Sequence, residues 1–294
     1  MTKKKIMIVI GIILSVLVLI AVFTGMKYLK KQKVESYSEV EHTYDVYPLD
    51  VKSGGNNLYG MAYVPNDVDG KVPTVILSHG FGINSDYWER TAKSLAMSGY
   101  ASYAFDFSGG GKESRSDGDM TNMSIFTEQS DLKAVIEEIK KQDFVDLDKL
   151  FLMGESQGGI VTAITAPEYN DEIKGVVLYY PAFLIPENAQ KQFDSIDDVP
   201  DTVESLGHTI GKTYYKDLFN YDPYGVIGGY TGPVLIIHGD KDELVPLSYS
   251  ERALQVYENA ELITLEGEIH GWTADGRGVA AKEAYQFFEG IIKK

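Results

Sequence analysis

No cysteine occurs in these 294 residues, so disulfides, thiolate metal sites and a cysteine nucleophile are all excluded. Histidines number five, which makes any histidine-dependent chemistry a problem of elimination. Positive charge is scarce too, with Lys+Arg 27 against Asp+Glu 43 and a formal net charge of −16. Seven lysines (Lys3, Lys4, Lys5, Lys27, Lys30, Lys31, Lys33) precede the first acid, Glu35, so the remaining chain is more acidic still. Such a surface repels phosphate backbones and argues against a nucleic-acid partner. A phosphate-loop reading of Ser108-Gly109-Gly110-Gly111-Lys112-Glu113 fails because no Ser or Thr follows the lysine, and the stretch is read as a flexible loop. Asp194 to Asp201 lacks calcium-loop spacing and its glycine, so it reads as a solvated face. Internal repeats and low-complexity tracts are also missing.

The first long feature present is apolar. Ile6 to Met26 carries no charge. At about 1.5 Å per residue, a helix over it covers roughly 30 Å, the hydrocarbon thickness of a bilayer. An uncleaved membrane anchor is the expectation. A cleaved signal peptide is the competing reading, but an Ala-x-Ala-like site does not precede Lys27. The lysines flanking the span are nearly balanced. The short amino-terminal tail carries no folded domain, which favours an extracytoplasmic position for the acidic remainder.

From about Tyr37 strands and helices alternate. Thr43 to Val51 and Leu58 to Val64 flank the turn-rich Ser53-Gly54-Gly55-Asn56-Asn57 and predict a hairpin. Thr74 to Ser78 is a short, largely apolar strand of the buried parallel type. A helix near Tyr87 to Met97, a strand near Tyr100 to Phe107, and a helix with Leu132, Val135, Ile136 and Ile139 on one stripe follow. Further strands are expected at Lys174 to Tyr180, Pro233 to Ile237 and Glu261 to Leu265, with helices near Ser250 to Tyr257 and Val279 to Ile292. The alternation predicts an α/β fold whose mostly parallel sheet carries helices on both faces, with ligands at the carboxyl ends of the strands. The interval between Tyr180 and Pro233 is too long for a simple connection and shows few strand signals, which predicts an inserted lid. The expected organisation is therefore an anchor and juxtamembrane segment over residues 1–34, a core over 35–181 and 231–294, and a lid or cap over 182–230.

Leu150-Phe151-Leu152-Met153 runs into Gly154-Glu155-Ser156-Gln157-Gly158-Gly159 and then an apolar helix start. That is a strand, a sharp turn and a helix with Ser156 at the tip, the turn needing glycines where neighbours must approach without side chains. A serine hydroxyl needs a base, and the base an orienting acid. On this strand order the three come as Ser, then Asp or Glu, then His. His42 and His79 lie upstream, and His208 and His238 precede the acidic loop, so His270 remains. That loop, after Ile237, offers Asp240, Asp242 and Glu243. His79 and His238, each before a glycine at a strand end, read as loop braces. The oxyanion formed on attack needs donors placed in advance: the N–H of Gln157, just past the nucleophile, and that of Phe81 in His79-Gly80-Phe81-Gly82.

With these residues placed, the chain from about Tyr37 to its end resembles the α/β-hydrolase superfamily, and within it the bacterial feruloyl (cinnamoyl) esterases and monoacylglycerol-lipase-like enzymes. The resemblance rests on His79-Gly80-Phe81-Gly82, Asp106-Phe107 into Gly109-Gly110-Gly111, the Gly154–Gly159 elbow, His238-Gly239-Asp240-Lys241-Asp242 with Val245-Pro246, and Gly267 followed by His270. It implies a serine hydrolase acting on a small-molecule ester without cofactor or metal, with Asp242 as the acid and Asp240 as the fallback. The inserted lid matches the place where such esterases carry a substrate-binding cap. Glu155 departs from the pattern, which often has His there. A peptidase of the same superfamily is the nearest rival, although its branches usually place Trp or Tyr where Gln157 stands. A non-catalytic binding protein with this fold is the rival from another class.

Overall fold

The computed structural model describes residues 34–293. The apolar stretch Ile6–Met26 lies outside these residues, and among the described ones no helix is long and apolar enough to cross a membrane. An eight-stranded sheet forms the centre. It is built from β1 (Tyr44–Pro48), β4 (Gly60–Pro65), β5 (Val72–Ser78), β6 (Ala101–Phe105), β7 (Val145–Glu155), β8 (Ile173–Tyr179), β11 (Val234–Gly239) and β12 (Ala260–Leu265), in the spatial order β1-β4-β6-β5-β7-β8-β11-β12. β1 and β4 run antiparallel to their neighbours, and the six strands from β6 to β12 are parallel.

Strand alternation divides the interior into two cores. Ile76, Phe105, Leu152, Val176, Leu178 and Ile236 point to one face, and Val75, Leu77, Phe151, Met153, Val177, Leu235 and Ile237 to the other. Both faces being covered, these strands read as continuous apolar runs. The first face is covered by α2 (Ile125–Ile139) and α3 (Ser156–Thr165), the second by α1 (Glu89–Met97) and α7 (Ala274–Ile292), while α6 (Ser248–Leu254) links β11 to β12. In α2 the expected stripe of Leu132, Val135, Ile136 and Ile139 is fully buried. Its start is fixed by a capping box in which the Ser124 hydroxyl accepts from Thr127 N (3.2 Å) and Ser124 N donates to the Thr127 hydroxyl (2.8 Å).

Three regions differ from the sequence expectation. The turn-rich linker between β1 and β4 is itself a small ribbon, β2 (Val51–Ser53) against β3 (Asn56–Leu58), turning at Gly54. The glycine loop at 108–110 is not a flexible surface loop. It is buried, with Ser108 N donating to Asp131 (2.9 Å) and Gly110 O accepting from Gly82 N (2.9 Å), so it braces the loop after β5. The interval between β8 and β11 holds α4 (Ile185–Gln192), α5 (Pro223–Ile227) and an antiparallel hairpin, β9 (Thr202–Ser205) with β10 (His208–Gly211). Each of those strands has four residues, and the turn uses Leu206 (φ 48°) before Gly207 (φ 79°), whereas an Asn or Asp before the glycine would have announced it. Asp194, Asp197, Asp198 and Asp201 are exposed, as a solvated face requires.

One buried charge ties the loops around the sheet's carboxyl edge. Asp106, fully buried just past β6, accepts from Ser85 N (2.8 Å), Arg115 N (2.8 Å) and the Arg115 guanidinium (3.0 and 3.1 Å). Burial pushes its carboxyl up, but the bonds from Arg115 and Ser85 outweigh that and hold it below the usual carboxylate range. A group depressed in this way stabilises the fold above its unfolded pKa of about 3.9, and that contribution is lost as pH falls through the lower folded value. Asp106→Asn is expected to cost about 3 kcal/mol at neutral pH, the low end for breaking a buried pair because Arg115 is 35% exposed. Urea denaturation at pH 7 and at pH 3 checks this: the deficit of the variant should shrink on acidification, and an equal deficit at both pH values would contradict it.

Candidate active site

Every side chain in question sits at the carboxyl edge of the parallel strands. Ser156 follows the last residue of β7 and opens α3 with φ of 51°, a left-handed conformation that costs a non-glycine residue strain. Two glycines make that turn possible. A Cβ on Gly154 would lie 2.3 Å from Gly158 O, and one on Gly158 would lie 2.4 Å from both Ser78 O and His79 O. The helix therefore starts against the end of β5, and the serine is forced out of the sheet. Glu155, four per cent exposed, turns back and accepts from Gly80 N at 2.6 Å.

His270 lies after β12 and bridges two partners. Its Nδ1 is 2.7 Å from Asp242 Oδ2 and its Nε2 is 3.0 Å from Ser156 Oγ. A carboxylate only accepts, so Nδ1 carries the proton and Nε2 is left to accept from the serine hydroxyl. Asp242, after β11, is held from behind. Its Oδ1 accepts from Leu244 N (2.9 Å) and Val245 N (2.8 Å), and His238 Nε2 lies 3.3 Å from Oδ2. Burial raises the carboxyl of Asp242, but the bonds from His238 and His270 and that from the Val245 N–H more than offset this, leaving it far below the usual range and ionised. Asp240 does not reach the imidazole. Its Oδ1 accepts from Gly267 N (2.6 Å) and so fastens the loop after β12.

His79 and His238 brace loops through bonds that fix their tautomers. His79 Nε2 accepts from Phe107 N (3.0 Å), so Nδ1 donates to Gly80 O (2.8 Å). His238 Nε2 donates to Val245 O (2.8 Å), leaving Nδ1 to accept from Ser250 Oγ (2.7 Å). Burial pushes the His79 imidazole below its ordinary pKa, which keeps it neutral.

Phe81 and Gln157 lie on either side of the serine, in the loop after β5 and in the first turn of α3, and neither backbone N–H donates to an acceptor among the described residues. The segment between β8 and β11 touches both. Tyr214 donates its hydroxyl to Gln157 Oε1 (2.8 Å), and the Gln157 amide donates to the fully buried Glu128 (2.9 Å). Rings of His208 and Tyr214 meet Phe81 edge-on at 5.5 and 6.1 Å. Glu128 is pushed well above the carboxylate range by burial, only partly countered by Gln157.

Sequence reasoning missed Glu128, Tyr214 and Tyr180. Tyr180, at φ 33° beyond β8, lies 4.5 Å from the His270 ring and shares a 2.6 Å hydroxyl bond with Tyr87. A Tyr-Tyr-Pro at a strand end was the available signal for it, whereas no local pattern marks the other two. Because Gly158 lies against two backbone carbonyls that cannot step aside, Gly158→Ala should cost about 1–3 kcal/mol and dislodge the elbow. Thermal unfolding of the variant checks the cost, and an unchanged midpoint would refute the close approach.

Comparison with known proteins gives this geometry a context. A family model described as Serine aminopeptidase, S33 (Hydrolase_4) matches residues 71–215, from β5 through the elbow to the Tyr214-Tyr215 turn. Among solved structures, Est1E from Butyrivibrio proteoclasticus with ferulic acid bound is similar, with a TM-score of 0.75 and 28% identity over 84% of this chain and 100% of that one. Non-heme chloroperoxidase CPO-A1 from Kitasatospora aureofaciens is 24% identical over 241 residues, 67% of this chain and 84% of the relative. Human 1-acylglycerol-3-phosphate O-acyltransferase ABHD5 is 28% identical over 158 residues, 54% of this chain and 43% of that protein. These names span several chemistries on one architecture, so what they have in common is the fold. The mostly parallel sheet, the strained serine between β7 and α3, and these likenesses together give the chain the α/β-hydrolase fold.

Proposed function

We propose that this protein is a serine hydrolase that cleaves carboxylic esters of small molecules through an acyl-enzyme. The observation that carries the reading is the continuous line Ser156 Oγ, His270 Nε2, His270 Nδ1, Asp242 Oδ2 at 3.0 and 2.7 Å. Ser156 attacks the ester carbonyl while His270 takes its proton. The developing oxyanion is held by the N–H groups of Phe81 and Gln157, and the tetrahedral intermediate collapses as His270 returns the proton to the leaving alcohol. Water then repeats the sequence on the acyl-serine and releases the acid. Asp242 fixes the imidazole tautomer and stabilises its charged form. None of these steps calls for a metal or cofactor.

The segment from α4 to α5 is the proposed cap, because Phe81, His208 and Tyr214 wall the donor side with aromatic rings. The ferulic acid bound by Est1E, an aryl acid, suits such walls. A peptidase is the second reading, favoured by the serine aminopeptidase family match. The two are separated by turnover of short-chain p-nitrophenyl esters against aminoacyl p-nitroanilides, with faster turnover of the anilides overturning the ester reading.

The triad test is direct. A fluorophosphonate probe should label the protein, and Ser156→Ala should abolish both labelling and ester turnover. Asp242→Asn is expected to lower kcat roughly 10⁴-fold, with Asp240→Asn near the parent value. A large loss confined to Asp240→Asn would transfer the acid role to Asp240. From the uncharged Ile6–Met26 stretch we further propose a single-pass membrane anchor with the hydrolase part on the extracytoplasmic side. Membrane fractionation of the full chain should place it in the pellet, and deletion of residues 1–30 should move it to the supernatant. Protease added to intact cells should degrade the hydrolase part, and its survival there would reverse the orientation.

A further inference from the structure

On the face of the sheet away from Ser156's helix lies a cavity of about 290 Å³. Glu35, Ser36, Tyr37, Arg90, Thr91, Ser94, Arg277, Gly278, Ala281 and Lys282 line it. Three cations and a single carboxylate around one cavity stand out in a chain whose acids outnumber its bases by 43 to 27. Arg277 is the unusual member. Only 7% of it is exposed, yet it forms no ion pair with any described carboxylate. Its guanidinium donates to Tyr87 O (3.2 Å) and Gly271 O (3.3 Å) and lies 3.9 Å above the Tyr87 ring, while its Nε is buried without a partner. Its direct contacts are neutral carbonyls and a ring, with the buried Glu155 acting only through space, and a buried cation without a contacting carboxylate favours an anion. Lys282, exposed on α7, forms no ion pair among the described residues and lines the same cavity. Thr91 and Ser94 add hydroxyls that donate to oxygen.

We propose that this cavity binds a phosphate-bearing anion, either the headgroup of an anionic phospholipid or a free phosphate. Guanidinium, ammonium and hydroxyl donors around one space match the several acceptor oxygens of that group. The cavity is lined on one side by Glu35, Ser36 and Tyr37, only a few residues past the apolar stretch that ends at Met26, which brings the headgroup source within reach. Occupancy also reaches the active site. Arg277 holds Gly271, the neighbour of His270, and it lies over Tyr87, whose hydroxyl bonds Tyr180 against the His270 ring. This site is independent of the ester reading.

The two tryptophans of the chain report on it, since Trp88 follows Tyr87 and Trp272 follows Gly271. The experiment uses the full chain in neutral detergent and follows tryptophan fluorescence. Inorganic phosphate is added at constant ionic strength, and in separate arms vesicles of phosphatidylglycerol or of phosphatidylcholine. A saturable change with phosphate, or one specific to phosphatidylglycerol vesicles, is expected, and which arm responds identifies the source. Lys282→Glu should weaken the response about tenfold or more, equivalent to ~1.4 kcal/mol. Lys216→Glu, a reversal at another exposed lysine on the segment between β10 and α5, should leave it unchanged. Absence of a saturable change in both arms, or equal weakening by the two reversals, overturns the proposal.

Discussion

The close approach of α3 to the end of β5 is the constraint on which the site depends. Gly158 lies against Ser78 O and His79 O with no room for a Cβ, and Gly154 lies equally close to Gly158 O. Because the helix starts there, the chain leaving β7 must turn within one residue, and Ser156 takes up the strain at φ 51°. The same approach sets the loop after β5 beside the serine, where Glu155 grips Gly80 and His79 grips Phe107. A local packing decision thus sets Ser156 beside Phe81 and Gln157, whose N–H groups find no acceptor among the described residues.

Electrostatics then distinguishes the two acids of the loop after β11. Asp242 and Asp240 are two residues apart on one loop, yet their surroundings differ. Asp242 is enclosed and collects two backbone N–H bonds and two imidazoles, which hold it ionised with Oδ2 against His270. Asp240 spends its carboxylate on Gly267 and thereby sets the height of the loop that carries His270. One acid thus touches the histidine, and the other fastens the loop it stands on.

The sheet was legible because each parallel strand is covered on both faces and so reads as an apolar run, as in Thr74 to Ser78 and Pro233 to Ile237. The hairpin of β9 and β10 was not, since four-residue strands of mixed polarity lack a period and Leu206 is an unusual choice for a left-handed turn position. The glycine loop at 108–110 was misread for a related reason. Its glycines signal freedom in isolation, but the fold spends that freedom on close contacts with Gly82 and Asp119.

By itself the sequence determined the α/β alternation, the elbow and the histidine at 270, because backbone periodicity, glycine placement and chain order are written locally. It narrowed the acid to one loop, and the resemblance favoured Asp242 within it. Only the tertiary structure set Asp242 at 2.7 Å from the imidazole, joined Tyr214 and Glu128 through Gln157, and brought Arg90, Arg277 and Lys282 around one cavity. Those relations join residues from separate helices and loops, and their distances follow from how the elements pack, which no local spacing encodes.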